Sequence, residues 1–434
     1  MAFDDNELNQ RRQQHREERK SLAAQRKLLR IGFIVTGITM VLCAATLLIT
    51  HGMLRAPDPS KPSMENTAPP TEAPTEPAAP DTVIHFVAGG DVNVTDKTVS
   101  AGSLPSGYDY GSVFLDVLPV LAAGDLTTVN FEGNLFGAPY GSASKSAPVE
   151  LLQSLKSAGV DFVQTANSYA VYNGLDGLQL TLQGIRQTGM EPLGTYADKA
   201  EFTKNGGFVI RQIQGIRIAI VAFTKGMDGM GLPAGSEDCV NLLYKDFSST
   251  YQSVDEDGIR EVLRSAQEYR PDVTIALLHW GSEYNDKISS TQKKIIQVMQ
   301  KEGVDAIIGT HSHYVQKVTY NPETHQLVAY SLGDLLGDAD RAGSDYSVLL
   351  DVEITKDGKT GEVKITGFDY TPVFIADETA NGGPLRVLRI KEALAAYEAN
   401  CVGCVSKETY EAMKNALSRI EARIHPEPET PPST

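Results

Sequence analysis

The chain has 434 residues and a formal net charge of −16, because 55 aspartates and glutamates outnumber 39 lysines and arginines. Such an acidic chain is a poor candidate for binding nucleic acid or an anionic lipid surface, since both carry negative charge themselves. The length exceeds that of one ordinary domain, so we expect part of the chain to lie outside the globular core.

A basic arm and an uncharged apolar run open the chain. About 20 apolar helical residues span a hydrocarbon core of about 30 Å, and the run from Ile31 to Thr50 has that length. Eight lysines and arginines precede the run, whereas only Arg55 and Lys61 follow it closely. This asymmetry predicts a single-pass protein of the cell membrane, with a cytoplasmic arm (1–30), one transmembrane helix (31–50) and an extracellular main domain. A cleaved signal peptide is the alternative, although the apolar run is long for one.

Two segments have the composition of chain that buries little. Residues 51–81 are rich in proline, threonine, glutamate and alanine, which predicts a semi-rigid stalk of polyproline type. Residues 426–434 form a second polar stretch, which we interpret as a disordered tail.

Strand-like and helix-like segments alternate through the middle of the chain. Strands are predicted at 82–88, 126–131, 162–165, 216–223, 273–278 and 304–308, and helices at 151–158, 175–189, 257–269 and 292–302. This alternation predicts parallel strands covered by helices. Three later segments, 326–331, 348–354 and 363–370, are typical of antiparallel strands. We therefore expect one α/β domain over residues 82–375, a layered sandwich with mixed sheets.

Residues 376–425 follow this domain and are predicted to be helical. Their apolar positions are Leu385, Leu388, Ile390, Leu394 and Tyr397. Such spacing favours packing on the domain's own surface over a partner site.

Polar side chains stand where five of the predicted parallel strands end. They are Asp91, Asn130 with Glu132, Asn167, His279 with Glu283, and His311 with His313. Ligand sites form beyond the carboxyl ends of parallel strands, and this mixture of oxygen and nitrogen donors suits Zn²⁺, Mn²⁺ or Fe. Taken singly, each histidine reads more simply as a hydrogen-bonded loop residue. The shared placement at strand ends favours a metal site.

Six short motifs along the domain carry a resemblance to a known family. They are Gly90-Asp91, Asn130-Phe131-Glu132, Ala166-Asn167, His279 to Tyr284, Gly309 to His313, and Tyr330 to Asp334. In order and spacing they resemble the bacterial capsule-synthesis proteins of the poly-γ-glutamate type, the CapA family. That family is similar in fold to calcineurin-like metallophosphatases, so the resemblance implies a fold of that type.

The resemblance also implies a set of metal ligands for one or two divalent ions. Asp91 and His313 would bind one ion, Glu132 would bridge two, and His279 and His311 would bind the second. Two further sets of residues follow from the same motifs. Asn130, Asn167, Ser168 and Asp334 would be additional ligands or would hydrogen-bond to the ligands, and Tyr169 and Glu283 are the candidates for catalysis.

The chain departs from the family pattern beside these ligands. Family members usually read Ala-Asn-Asn-His where this chain reads Ala166-Asn167-Ser168-Tyr169. Ser168 is a weaker ligand than asparagine, and a tyrosine with an ordinary pKa of about 10 is a poor general acid–base at neutral pH. Asp334 also stands where the family often has asparagine. A one-metal site, or a site kept for binding, is therefore an open alternative.

Two functions of different class follow. The first is a metal-dependent hydrolase or transferase acting on a cell-envelope polymer, such as polyglutamate, beside other membrane subunits of a synthesis complex. The second is a non-catalytic component that binds the polymer or assists its export. An acidic surface repels an anionic polymer unless cations offset it. Lys145, Lys225, Lys287 and Lys317 are candidates for a basic groove, although each reads more simply as a solvated surface lysine.

Overall fold

The computed structural model describes residues 79–401 and 405–424. The predicted cytoplasmic arm (1–30), transmembrane helix (31–50), tail (426–434) and nearly all of the stalk (51–81) lie outside these residues. No helix within the described residues has the length and apolar character that crossing a bilayer requires.

The described residues form strands and helices in the alternation that the sequence predicts. The strands are β1 (Thr82–Asn93), β2 (Ser103–Leu104), β3 (Gly107–Tyr108), β4 (Leu126–Glu132), β5 (Phe162–Gln164), β6 (Glu191–Leu193), β7 (Phe208–Ile213), β8 (Ile216–Thr224), β9 (Val273–His279), β10 (Ala306–Thr310), β11 (Val318–Asn321), β12 (Gln326–Ala329), β13 (Asp334–Leu336), β14 (Tyr346–Lys356), β15 (Val363–Asp377) and β16 (Leu385–Arg389). The helices are α1 (Asp96–Ala101), α2 (Gly111–Phe114), α3 (Leu118–Leu121), α4 (Val149–Ser157), α5 (Gly174–Gln187), α6 (Lys199–Asn205), α7 (Glu256–Gln267), α8 (Ser290–Lys301), α9 (Ile390–Glu398) and α10 (Lys407–Ile424).

Two mixed sheets carry the fold. The larger has the order β16-β15-β14-β1-β4-β5-β6, with β13 also paired to β1, and the smaller has the order β11-β12-β10-β9-β8-β7. Strands β1, β4, β5 and β6 run parallel, and so do β8, β9, β10 and β12. Antiparallel strands complete each sheet, which confirms the predicted α/β architecture with mixed sheets.

The two sheets pack face to face, and helices cover their outer faces. Along β8, Ile218 and Ile220 belong to a cluster that contains buried residues of both sheets, whereas Ala219 and Val221 belong to a cluster with α7 and α8. A third cluster joins the other face of the larger sheet to α2, α3 and α4. Because successive side chains of a strand point to opposite faces, these clusters define four layers, α/β/β/α.

Helix α7 shows how the sequence builds one of these layers. Its buried residues Ile259, Val262, Leu263 and Ala266 recur with helical spacing, and Asp255 caps the helix by accepting from the Gly258 N–H. The apolar face covers the smaller sheet, so α7 carries the chain back to start β9 parallel to β8. The carboxyl ends of β8, β9 and β10 consequently open at one edge.

The segment 376–425 is not purely helical as predicted. Strand β15 continues to Asp377, and Leu385 and Leu388 lie on β16, which pairs with β15. A partly buried arginine lies between the buried side chains of Leu385 and Val387, as in the alternation of a strand, and the edge of β15 provides the strand with which β16 pairs. Strand β12 also differs, because it pairs parallel to β10 and antiparallel only to β11.

Candidate functional site

The predicted site residues meet where strand ends of the two sheets face each other. Strands β1, β4, β5 and β13 contribute from the larger sheet, and β9 and β10 from the smaller. Nine of the predicted residues are at most 6% exposed there: Asp91, Asn130, Glu132, Asn167, Ser168, His279, His311, His313 and Asp334. We call these nine residues the ligand cluster.

The six acidic and histidine residues of the ligand cluster fall into two halves, and one half consists of Asp91, His313 and Asp334. The Nδ1 atom of His313 lies 2.8 Å from Oδ1 of Asp334 and 3.8 Å from Oδ2 of Asp91. Each residue offers one ligand atom, and these atoms lie within 4.8 Å of one another. Pairing of β1 with β13 aligns Asp91 with Asp334, which sets the two carboxylates side by side.

The other half consists of Glu132, His279 and His311, whose ligand atoms also lie within 4.8 Å of one another. Nδ1 of His279 lies 3.3 Å from Oε1 of Glu132, and the two imidazole ring centres are 4.4 Å apart. The backbone N–H of His311 donates to Oδ2 of Asp91 at 3.0 Å, which connects the two halves.

Amide side chains orient the carboxylates. Nδ2 of Asn130 donates to Oδ1 of Asp91 at 2.6 Å and to Oε1 of Glu132 at 3.3 Å. Asn167 in turn donates to Oδ1 of Asn130 at 3.1 Å and to the carbonyl of Phe131 at 2.6 Å. Their amide nitrogens are therefore engaged in holding the acidic residues in place.

The loop after β10 turns both of its imidazoles inward. His311 and His313 have φ of 87° and 57°, in the left-handed region that residues other than glycine seldom adopt. The loop begins beside Gly309, where a Cβ atom would overlap the carbonyl of Tyr330. Unfavourable backbone conformations of this kind cluster at functional sites.

Burial controls protonation in the ligand cluster. It raises the pKa of Asp91 to about 6, with the neighbouring Asp334 charge adding to the effect, and it also raises the pKa values of Glu132 and Asp334. Burial lowers the pKa values of His279 and His311, which favours neutral imidazoles. For His313 burial acts in the same direction, but Asp334, Glu132 and Asp91 outweigh it and raise its pKa to about 10. A bound cation would favour the ionised acids.

A cleft of about 340 Å³ reaches the ligand cluster at His313 and Asp334. Both predicted catalytic residues, Tyr169 and Glu283, line this cleft. Glu283 is exposed, whereas Tyr169 is partly buried, and its burial raises the pKa of its hydroxyl further above the ordinary value of 10. Neither residue belongs to the buried set of nine.

Two cations lie over aromatic rings along the same cleft. Lys145 Nζ is 4.4 Å from the ring centre of Tyr169, and the Arg341 guanidinium carbon is 3.8 Å from the ring centre of Tyr284. The Tyr284 ring itself stacks on His313 at 4.9 Å. Cation–π contacts of this kind hold the charges over the cleft.

Of the four lysines considered for a basic groove, the structure places only Lys145 on the cleft wall. Lys287 and Lys317 are exposed elsewhere, and Lys225 is partly buried, with its Nζ 3.1 Å from Nε2 of His311. That contact was not predicted. The available signal was that Lys225 directly follows β8, another parallel strand that ends at this edge. Arg341 was missed because no pattern marks its loop.

Comparison with solved structures gives low similarity. A phosphatase from Mycoplasma pneumoniae is 15% identical with a TM-score of 0.44, covering 70% of this chain and 97% of that one. The calcineurin-like phosphoesterase YfkN from Bacillus subtilis is 13% identical with a TM-score of 0.43, covering 79% of this chain and all of that one. Similarity at this level does not establish the calcineurin-like type, which stays a prediction.

Two curated proteins are similar in sequence. PGA biosynthesis protein CapA of Bacillus subtilis (strain 168) is 24% identical over 263 residues, which make up 59% of this chain and 65% of that protein. Capsule biosynthesis protein CapA of Bacillus anthracis is 26% identical over 262 residues, 58% of this chain and 59% of that protein. The chain thus spans less than two thirds of the length of each.

A family profile described as bacterial capsule synthesis protein PGA_cap matches residues 85–339. The matched region contains all nine residues of the ligand cluster and both candidate catalytic residues. It also covers more than half of the chain, which confirms the resemblance drawn from the motifs. This protein therefore belongs to the PGA_cap family of bacterial capsule synthesis proteins.

Proposed function

We propose that this protein is anchored in the cell membrane and that its extracellular domain binds a divalent metal (Mn²⁺, Zn²⁺ or Fe). With this metal it hydrolyses bonds of an anionic envelope polymer or transfers groups of that polymer. The observation that carries the proposal is the buried ligand cluster at the base of the cleft. Membership of the PGA_cap family supports a role in capsule synthesis beside other membrane subunits. The CapA names of the relatives favour polyglutamate as the polymer.

The residues present fit a divalent metal. Asp91, His313 and Asp334 supply two carboxylates and an imidazole, a donor set that suits these ions. Buried carboxylates set side by side are unfavourable without a cation, and within the described residues no lysine or arginine nitrogen lies within 4.0 Å of either one. A divalent metal bound there supplies a Lewis acid for a phosphoryl or acyl group.

The cleft residues provide binding and hydrogen bonding around that position. Lys145 and Arg341 have no carboxylate within 4.0 Å among the described residues, so their charges can hold acidic groups of a polymer. Tyr169 keeps its proton at neutral pH because burial raises its pKa, and it can therefore donate a hydrogen bond to a bound group.

Metal analysis tests this proposal. The purified full-length chain, equilibrated with Mn²⁺, Zn²⁺ or Fe²⁺ and freed of excess, should retain metal when measured by inductively coupled plasma mass spectrometry. His313→Ala should lose most of it, because the imidazole faces both carboxylates. His85→Ala is the matched control, since His85 lies on β1 but pairs with Asp351 outside the ligand cluster. Metal-free wild-type protein after all three treatments would refute the proposal.

A non-catalytic polymer-binding role is the second candidate, and one observation favours it. Ser168 and Tyr169 replace the asparagine and histidine of the family pattern, and the raised pKa of Tyr169 makes it a poor proton carrier at neutral pH. Assays of the metal-loaded chain on phosphodiester and peptide substrates separate the two roles. Retained metal with no turnover on either class would favour binding.

A further inference from the structure

The two histidines beside Glu132 have their Nε2 atoms engaged by other side chains. Nε2 of His279 lies 3.1 Å from Oγ of Ser168, and Nε2 of His311 lies 3.1 Å from Nζ of Lys225. An imidazole nitrogen binds a metal through the same lone pair with which it accepts a hydrogen bond. A metal and the Lys225 nitrogen therefore compete for one direction at His311.

The second ring nitrogen of His311 offers no alternative while this contact lasts. A neutral imidazole has one N–H and one lone pair, so acceptance at Nε2 leaves the hydrogen on Nδ1. Nδ1 of His311 is buried and has no hydrogen-bond partner among the described residues. While Lys225 donates to Nε2, neither ring nitrogen of His311 has a lone pair free to bind a metal.

Lys225 is held at this position by several contacts. Its Nζ also donates to the carbonyl of Gly281 at 3.2 Å and lies 4.5 Å from the ring centre of Tyr251. Its backbone N–H donates to the carbonyl of His279 at 2.8 Å, which fixes the end of β8 against the end of β9. These contacts hold Lys225 in place within the site, unlike a mobile lysine on the surface.

Charge balance agrees with this arrangement. The ligand cluster contains three carboxylates, those of Asp91, Glu132 and Asp334. One divalent ion together with the Lys225 ammonium matches three negative charges, whereas two divalent ions beside the same ammonium would exceed them. Excess positive charge in a buried site is unfavourable because little water screens it.

We propose that the site holds a single metal ion at Asp91, His313 and Asp334, and that Lys225, with Ser168, occupies the place that a second ion would take beside His279 and His311. This inference rests on the proposed function, since it presupposes that the ligand cluster binds metal. It assigns Lys225 as a residue that positions His311 and excludes the second ion.

Ion counting with Mn²⁺ alone tests the inference on the full-length chain. The wild type should bind one ion per chain and give the electron paramagnetic resonance spectrum of an isolated Mn²⁺. His311→Ala should keep one ion. The double variant Lys225→Met/Ser168→Asn should bind two and show the coupled spectrum expected of ions about 3.5–4 Å apart. Lys287→Met removes an exposed lysine and is the matched control, with one ion.

The outcomes separate the two proposals. Two ions in the wild type, falling to one in His311→Ala, would overturn the single-ion inference and leave the proposed metal function standing. No bound ion would overturn both. A folded double variant that still binds one ion would overturn the role of Lys225. If the double variant does not fold, the counts for the wild type and His311→Ala still decide whether the site holds one ion or two.

Discussion

At the scale of single residues, burial and neighbouring charges together set the pKa values of the site. Asp91 is an acid and His313 a base, yet the pKa of each is raised, to about 6 for Asp91 and about 10 for His313. Each shift favours the protonated form of its residue. The acid is desolvated, and the histidine lies between acids. Both shifts follow from burial and neighbouring charge, and a bound cation would favour the ionised acids.

Asp305 allows the same physics to be tested away from the metal ligands. Burial raises its pKa to about 6 from an ordinary value of 3.8, although its Oδ2 accepts from the Thr274 N–H at 2.8 Å. Between these two values the folded chain binds a proton that the unfolded chain does not. The stabilisation from that proton is complete below about 3.8 and is lost as the pH rises through about 6.

Asp305→Asn keeps an acceptor for Thr274 and removes the buried charge. We expect the variant to be more stable than the wild type at pH 7, by up to about 3 kcal/mol, because the acid is then charged in the wild type. The difference should shrink as the pH falls toward 4. Urea unfolding of both proteins at several pH values measures it. A difference in the free energy of unfolding that stays constant with pH would contradict the raised pKa of Asp305.

Residue-level reasoning from the sequence identified the candidate ligands but not all of the side chains that contact them. Asp91, Glu132 and the three histidines could be identified because each ends a predicted strand. The contact between Lys225 and His311 joins residues 86 positions apart and depends on how β8, β9 and β10 pair. Strand pairing is a tertiary property that local patterns do not encode. For the same reason Arg341, on a loop without periodicity, left no signal.

At the scale of elements, close approach of strand backbones positions the acids. Asp91 N–H donates to the carbonyl of Gly333 at 3.0 Å, and Gly90 lies so close to that carbonyl that a Cβ atom on it would overlap the oxygen. Glycine at position 90 thus permits β13 to lie beside β1. The sequence predicted β1 but not β13, since three residues are too few for a periodic pattern.

Gly90→Ala should therefore damage both stability and metal binding. The added methyl would force β1 and β13 apart and move Asp91 away from Asp334, at a cost of about 1–3 kcal/mol typical of overpacking. Urea unfolding and metal content measure the two effects. Gly367→Ala is the matched control, because Gly367 lies on β15 of the same sheet with no atom near the added Cβ position. Equal effects of both substitutions would show that backbone approach at Gly90 is not the cause.

At the scale of the whole molecule, the C-terminal helix closes the layer between the two sheets. Met413, Ala416, Ile420 and Ile424 of α10 are buried and belong to the cluster that both sheets share. Arg423 of the same helix donates to the carbonyl of Val315, two residues after His313, at 2.9 Å. Helix α10 thereby supports the loop that carries His311 and His313.

Ile420→Ala tests whether α10 is part of the cooperative fold. Ile420 is fully buried, so truncation should lower the free energy of unfolding by about 2–5 kcal/mol, through lost burial and the cavity left behind. Because α10 also holds Val315, the variant should bind metal more weakly as well. Ser418→Ala, an exposed change on the same helix, should leave both quantities nearly unchanged. Urea unfolding with and without Mn²⁺ measures them together. A loss for Ile420→Ala below about 0.5 kcal/mol would mean that α10 docks without sharing the core, and its contact with Val315 would then not couple to the site.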